Sequence, residues 1–205
     1  MSQRPRSLLT AVALAIGLVA LAAGPAAAAT ASVSVTNSGY APAKVTIAYG
    51  SSVTWRFTQG THSVTDASKL GLFSSGARSA GATYSFRFID AGTYSYHSTV
   101  GTAMTGKVAV PTTATPSTGT RTTFFTVRWG STDTATGYEE QVQMKEPGAS
   151  SWIVFVYGTP DHDATFRPAD WGNRAGTYQL RSKLIKGNDP SISSDWSPIA
   201  WVTVH

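Results

Sequence analysis

YSYHSTVGTAMTG, residues 94–106, is the stretch on which the reading of this chain turns. Tyr94, Tyr96 and Ser98 alternate with Ser95 and His97, the two-residue period of a β-strand, and Gly101 to Gly106 then form a short loop carrying a single methionine, Met104. The segment reads as a strand that delivers side chains to one end of a β-structure. The same alternation occurs upstream in SVSV (32–35), KVTIAYG (44–50), SVTWRF (52–57) and TYSFRF (83–88), and downstream in KVAV (107–110). Val, Ile, Thr, Tyr and Phe fill these runs and closely spaced turn residues break them, which predicts a sandwich of half-buried strands. No convincing helix emerges from the pattern.

PTTATPSTGT, residues 111–120, contains no large apolar residue, so it reads as a linker between cores. A second strand series comes after it in FFTVRW, GYEEQVQM, WIVFVY, ATFRP, TYQLRSKLI and AWVTV. The expected organisation is therefore a first domain over 30–110, a linker over 111–120 and a second domain over 121–205.

Residues 1–29 have the order of a secretory signal. Arg4 and Arg6 precede an uncharged stretch from Ser7 to Ala23, and Gly24, Pro25 and an alanine tract complete it. Cleavage is expected after Ala28 or Ala29, so the mature chain has no membrane insertion. An uncleaved anchor is the competing reading, because the apolar run approaches the roughly 20 residues of a spanning helix, but the small residues suit processing better. Pro5 splits the two arginines and excludes a twin-arginine signal. The chain has no cysteine, so an exported protein must here rely on apolar cores alone, without disulfides or a thiolate ligand.

Of the formal net charge of +5, the excess lies in the first half, where six basic side chains face only Asp66 and Asp90. Attraction to an acidic envelope polymer is compatible with that balance. No basic cluster is dense enough for a nucleic-acid partner.

Residues 30–110 resemble the cupredoxins, the plastocyanin and amicyanin type of small blue-copper protein. GYAPAKVTIAYGSSVTWRF (39–57) is similar to the paired opening strands, THSV (61–64) to the segment with the first histidine ligand, and FSSG with the AGTYSYH strand to the later part of the family's barrel. The resemblance implies a Greek-key barrel with copper ligands on a Cys-x-x-His-x-x-Met loop. Here the matching positions are Ser98, Gly101 and Met104, with His62 as the remaining histidine. Blue copper needs a thiolate and two imidazoles, and a serine hydroxyl and a glycine supply neither. His62 and Met104 are thus a vestigial pair, no copper or other cofactor is expected, and their plain readings are a backbone-bonded loop imidazole and a gap-filling side chain. His97 alternates with Ser98 and faces away from it.

Residues 121–205 resemble a fibronectin type III domain. Trp129 matches the buried tryptophan of the second strand, Tyr178 the tyrosine near the start of the sixth, FRP (166–168) the family's Leu-x-Pro turn, and SDWSP (194–198) part of the Trp-Ser-x-Trp-Ser element of receptor modules. Arg181 and Lys183 share a strand face and are expected over Trp196. Trp152, Trp171 and Trp201 are expected as core liners, with a sugar or protein contact surface as the alternative. Asp161, His162 and Asp163 read as a solvated turn.

The fold expected is all-β: two β-sandwich domains, a cupredoxin-like Greek-key barrel and an immunoglobulin-like fibronectin type III sandwich. No nucleophile elbow, phosphate loop or zinc spacing occurs, so no catalytic residues are assigned and the chain is read as no enzyme. The expected function is a secreted, monomeric binding or scaffold protein, extracellular or cell-wall associated, whose partner is a cell-envelope polymer or a surface protein. The alternative is a copper-binding electron carrier or weak copper chaperone.

Overall fold

The computed structural model describes residues 30–187 and 189–205, and the expected signal segment, 1–29, lies outside them. The described chain is all-β, as expected, apart from one short 3-10 turn at Pro168–Asp170. Among these residues no helix is long and apolar enough to cross a membrane.

The first sandwich is made of two four-stranded sheets. One runs Gly39–Ala41, Thr30–Thr36, Ser51–Phe57, Thr83–Phe88; the other runs Lys44–Thr46, Thr105–Val110, Gly92–His97, Thr65–Asp66. Thr30–Thr36 lies parallel to Ser51–Phe57, and Lys44–Thr46 parallel to Thr105–Val110, so the chain crosses between sheets rather than meandering in one. Alternation decides the faces. Val53, Trp55 and Phe57 point inward from one sheet and Tyr94 and Tyr96 from the other, while Ser95 and His97 lie on the opposite side of their strand. Trp55 sits at the centre, its ring 5.3 Å from Tyr96, 5.9 Å from Phe73 and 5.8 Å from Tyr84. Edge-to-face and offset packing of this kind adds to the burial of large rings.

In the second sandwich, a three-stranded sheet of Thr113–Thr115, Phe125–Arg128 and Asp163–Phe166 faces a larger one. The larger sheet runs Thr118–Gly119, Ala200–Val204, Gly176–Lys186, Tyr138–Lys145, Ile153–Thr159, with Asp189–Ser193 beside Gly176–Lys186. Trp129 and Tyr178 are fully buried, as the sequence suggested. The Trp129 indole donates to Asp161 O (2.6 Å), and the Tyr178 hydroxyl lies 3.1 Å from Arg174 O and 3.3 Å from the Arg174 N–H, closing a strand corner.

The stretch expected as a linker is structured instead. Thr113–Thr115 pairs with Phe125–Arg128, and Thr118–Gly119 pairs in parallel with Ala200–Val204. Small polar residues suffice there because both segments are edge strands, held by main-chain hydrogen bonds and needing no large side chain. The turn between the halves shrinks to residues around Thr112, which is itself buried and bonded through its hydroxyl to Ser182 and Ser197.

The two sandwiches share a hydrogen-bonded seam. Ala91 N–H donates to Trp129 O (2.5 Å), Ser131 N–H to Ile89 O (2.9 Å), and Thr93 and Asp195 exchange both main-chain bonds at 2.9 Å. Two acids are trapped beside it. Asp90 is buried with Oδ1 unpartnered, and burial pushes its carboxyl up to about 7. Glu140 is fully buried with neither oxygen hydrogen-bonded, and burial first, then the Asp90 charge, pushes its carboxyl well above the ordinary value. An acid raised in the folded state favours folding below its unfolded pKa and loses that contribution as pH rises through the folded value. Stability should therefore fall between about pH 4 and pH 8, with the Asp90 share worth roughly 4 kcal/mol. Denaturant melts at pH 5 and pH 8 measure this, and Asp90→Asn should remove the Asp90 share of the difference, leaving that of Glu140, while stabilising the protein at pH 8.

Candidate functional site

The four positions singled out in the sequence do converge at one end of the first sandwich. His62 ends the two-residue strand Thr61–His62, which pairs with Arg78–Ser79. Ser98 comes directly after the strand Gly92–His97, and its N–H donates to Met104 O (3.1 Å), closing the loop that carries Gly101. His62, Ser98 and Met104 are all buried.

Ser98 and one nitrogen of His62 are held by partners within the chain. Ser98 Oγ accepts the Ser63 N–H (3.0 Å) and donates to Val100 O (2.6 Å), so the hydroxyl bridges the His62 segment to its own loop. Ser63 repeats the device, its Oγ accepting the Thr99 N–H at 2.8 Å. Tyr40 caps the same segment by donating to Ser63 O, and burial raises its hydroxyl pKa, with a smaller push from Tyr96. The His62 ring is held by Asn37 rather than by backbone: Nε2 lies 3.0 Å from Asn37 Oδ1, a contact that only a protonated Nε2 makes favourable. Nδ1 is then a bare acceptor, buried and unpartnered.

Gly101 explains why no second imidazole fits. Its φ is +74°, and a Cβ there would stand 2.7 Å from Thr61 O and 2.9 Å from His62 Nδ1. The loop has closed onto the histidine, and only glycine tolerates both the left-handed backbone and the contact. The residues present do not fit a blue-copper centre: no thiolate exists, the Ser98 hydroxyl is committed on both sides, and Gly101 offers no donor. Among the described residues no group of three or more His, Cys, Asp or Glu side chains is placed to hold a metal ion.

The acidic cluster of the second domain does not face one point either. Asp161 takes the Thr159 hydroxyl (3.0 Å), Asp163 the Arg128 guanidinium (2.8 Å), and His162 Nδ1 lies 2.6 Å from Asp133. It is a polar network, with His162 between Asp133 and Asp163 and one Arg128–Asp163 ion pair, that ties a loop to a strand.

A different surface stands out on the outer face of the larger sheet of the second sandwich. Tyr178, Leu180, Val142, Met144, Ala200 and Val202 point inward, so by alternation Gln179, Arg181, Lys183, Gln143, Lys145 and Trp201 point outward. Arg181 lies between two indoles, 4.0 Å from the Trp152 ring and 4.4 Å from the Trp196 ring. Lys145 extends the stack beyond Trp152 (5.7 Å) and Lys183 flanks Trp196 (5.2 Å). The sequence pointed to Arg181 and Lys183 on Trp196; Trp152 as the second plate of the sandwich had no local signal, because it comes from a distant part of the chain, just before the strand Ile153–Thr159. Gln143 Oε1 accepts both Arg181 Nε (3.1 Å) and Nη2 (2.7 Å), fixing the guanidinium plane. Burial lowers the Arg181 pKa, and burial with the Arg181 charge lowers that of Lys183, because no carboxylate pairs with either among the described residues. Trp201, in register with Gln179 and through it with Lys145, is 55% exposed and is not a core residue. Trp171, in contrast, packs edge-on against Phe155 at 5.5 Å.

No family model matches the chain, and no curated protein matches it. Among solved structures it is similar to the amicyanin of Paracoccus versutus, at 27% identity over 43% of this chain and 85% of that one, with a TM-score of 0.36. It is also similar to a purple cupredoxin of Nitrosopumilus maritimus, at 21% identity over 39% of this chain and 98% of that one (TM-score 0.34). A third neighbour is the FN1–FN3 fragment of chicken CNTN1, at 11% identity over 71% of this chain and 57% of that one (TM-score 0.32).

The closed loop predicts its own mutational signature. Gly101→Ala should destabilise the first sandwich by more than the roughly 1 kcal/mol of a left-handed backbone alone, since Thr61 O must also move. Ser98→Ala, which strands the buried Ser63 N–H, should cost about 1–3 kcal/mol. Both are read by thermal or denaturant melts.

Proposed function

We propose that this chain is a non-catalytic binding protein of the cell envelope, in which a cupredoxin-like sandwich without its metal ligands serves as the rigid body and the second sandwich carries the contact surface. The observation behind this reading is the outer face on which Lys145, Arg181 and Lys183 alternate with Trp152 and Trp196 and border Trp201. Indole faces and amide groups suit the apolar faces and hydroxyls of a sugar polymer, while cations lacking carboxylate partners suit phosphate or carboxylate groups along it. The partner class is therefore an acidic, hydroxyl-rich envelope polymer. Secretion by the N-terminal segment, and life outside the membrane as a monomer, belong to the same reading.

Co-sedimentation with purified acidic cell-wall polymer tests it. Binding should weaken steeply with added salt, because exposed charges are screened within about 10 Å at 0.1 M. Trp201→Ala combined with Arg181→Gln should reduce binding at least about tenfold. Trp201→Ala alone should leave stability within roughly 0.5 kcal/mol, as expected for an exposed side chain. Salt-independent binding, or no loss in the double variant, would refute the surface.

One observation favours the alternative copper reading: the bare, buried Nδ1 of His62 at the same end as Met104. Titration with cuprous and cupric ions separates the two. On the reading preferred here neither ion binds more tightly than to a generic exposed histidine, and His62→Gln changes nothing; tight uptake lost in His62→Gln would restore the metal function.

A further inference from the structure

The seam between the two sandwiches borders a half-open cavity of about 250 Å³. Phe86, Phe88, Tyr94 and Tyr138 supply aromatic walls, Leu72 closes it from the first domain and Leu184 from the second. One acid stands in this wall. Asp90 is buried, its Oδ1 has no hydrogen-bond partner, and no cation offsets its desolvation. Gly130 closes over it across the seam, where an added Cβ would stand 2.9 Å from Thr132 O and 3.3 Å from Asp90 Oδ1. Arg87 lies at the rim, where it is exposed and its Nε donates to Gly50 O (2.8 Å), so its guanidinium is committed away from the acid.

We propose that this cavity binds a small organic monocation, an amine with a ring-sized apolar body, whose ammonium group pairs with Asp90. This goes beyond the polymer surface described above and does not depend on it. Three features select the ligand. The cavity volume exceeds the roughly 150 Å³ that accommodates a benzene ring, leaving space for a short charged arm. Aromatic walls attract a cation through their ring faces and bury an apolar body equally well. The buried acid rejects anions, and it gains from an ammonium ion the partner that the protein withholds. Tyr94 is uncharged here, burial holding its hydroxyl protonated while it donates to Asp90 O (2.9 Å).

Calorimetric titration of the whole protein with phenethylammonium, and with 2-phenylethanol as its neutral counterpart, is the test. The ammonium ion should bind at least about tenfold more tightly than the alcohol. At pH 6 most Asp90 carboxyls are protonated, so ammonium binding should release close to one proton, seen as a dependence of the enthalpy on buffer ionisation heat. Asp90→Asn should abolish both the tenfold preference and the proton release while leaving alcohol binding unchanged. Ala135→Trp, at the exposed rim of the cavity, should block both ligands, and it tests the site independently should Asp90→Asn fold poorly. Equal affinity for the two ligands, no binding of either at about 10 mM, unaltered ammonium binding in Asp90→Asn, or binding that survives Ala135→Trp would each overturn the proposal.

Discussion

The segment from Ile89 to Thr93 holds the molecule together. Its main chain is bonded to Trp129, Ser131 and Asp195, while Tyr94 just beyond it enters the core of the first sandwich and Phe88 just before it packs against Tyr94 at 5.1 Å. One extended run thus belongs to two sandwiches at once. With no cysteine to cross-link either domain, the seam does some of what a disulfide does elsewhere, restraining the halves by main-chain hydrogen bonds and shared apolar burial. It also forces Asp90 and Glu140 out of water, and that burial is tolerable only while they remain protonated or find a positive partner.

The end of the first sandwich is closed by a loop that stabilises itself. Ser98 accepts one main-chain N–H and returns its proton to Val100 O, so the position is satisfied within the chain. Gly101 lets the loop settle against His62, which removes the space a second imidazole would need. The bare Nδ1 of His62 has unused capacity, and burial without a partner is the cost of keeping the ring in place.

Both surfaces argued to bind something share one feature: charge without its internal counterion. On the outer face of the second sandwich the cations lie flat against indoles, where the rings stabilise them without neutralising them. In the cavity the sign is reversed and an acid is surrounded by apolar walls. Pairing or deleting such groups would stabilise the protein, and their presence is what supports the proposed binding role.

Much of this was legible in the sequence because it depends on local period. Alternation assigned inward and outward faces to SVTWRF and GTYSYH and put Arg181 and Lys183 on one face for Trp196, the fibronectin resemblance placed Trp129 and Tyr178 in a core, and residue chemistry alone excluded a thiolate site. Three things were not legible. PTTATPSTGT looked like a linker because edge strands are held by main-chain bonds that leave no mark on side-chain pattern. Trp201 looked like core because hydrophobicity does not say which face of a strand has water on it. The burial of Asp90 and Glu140 leaves no mark in the sequence, because it arises from the docking of segments far apart in the chain, Phe88–Tyr94 against Trp129–Glu140. Local periodicity fixes the direction of each side chain, but only the docking of the two sandwiches decides what that side chain meets.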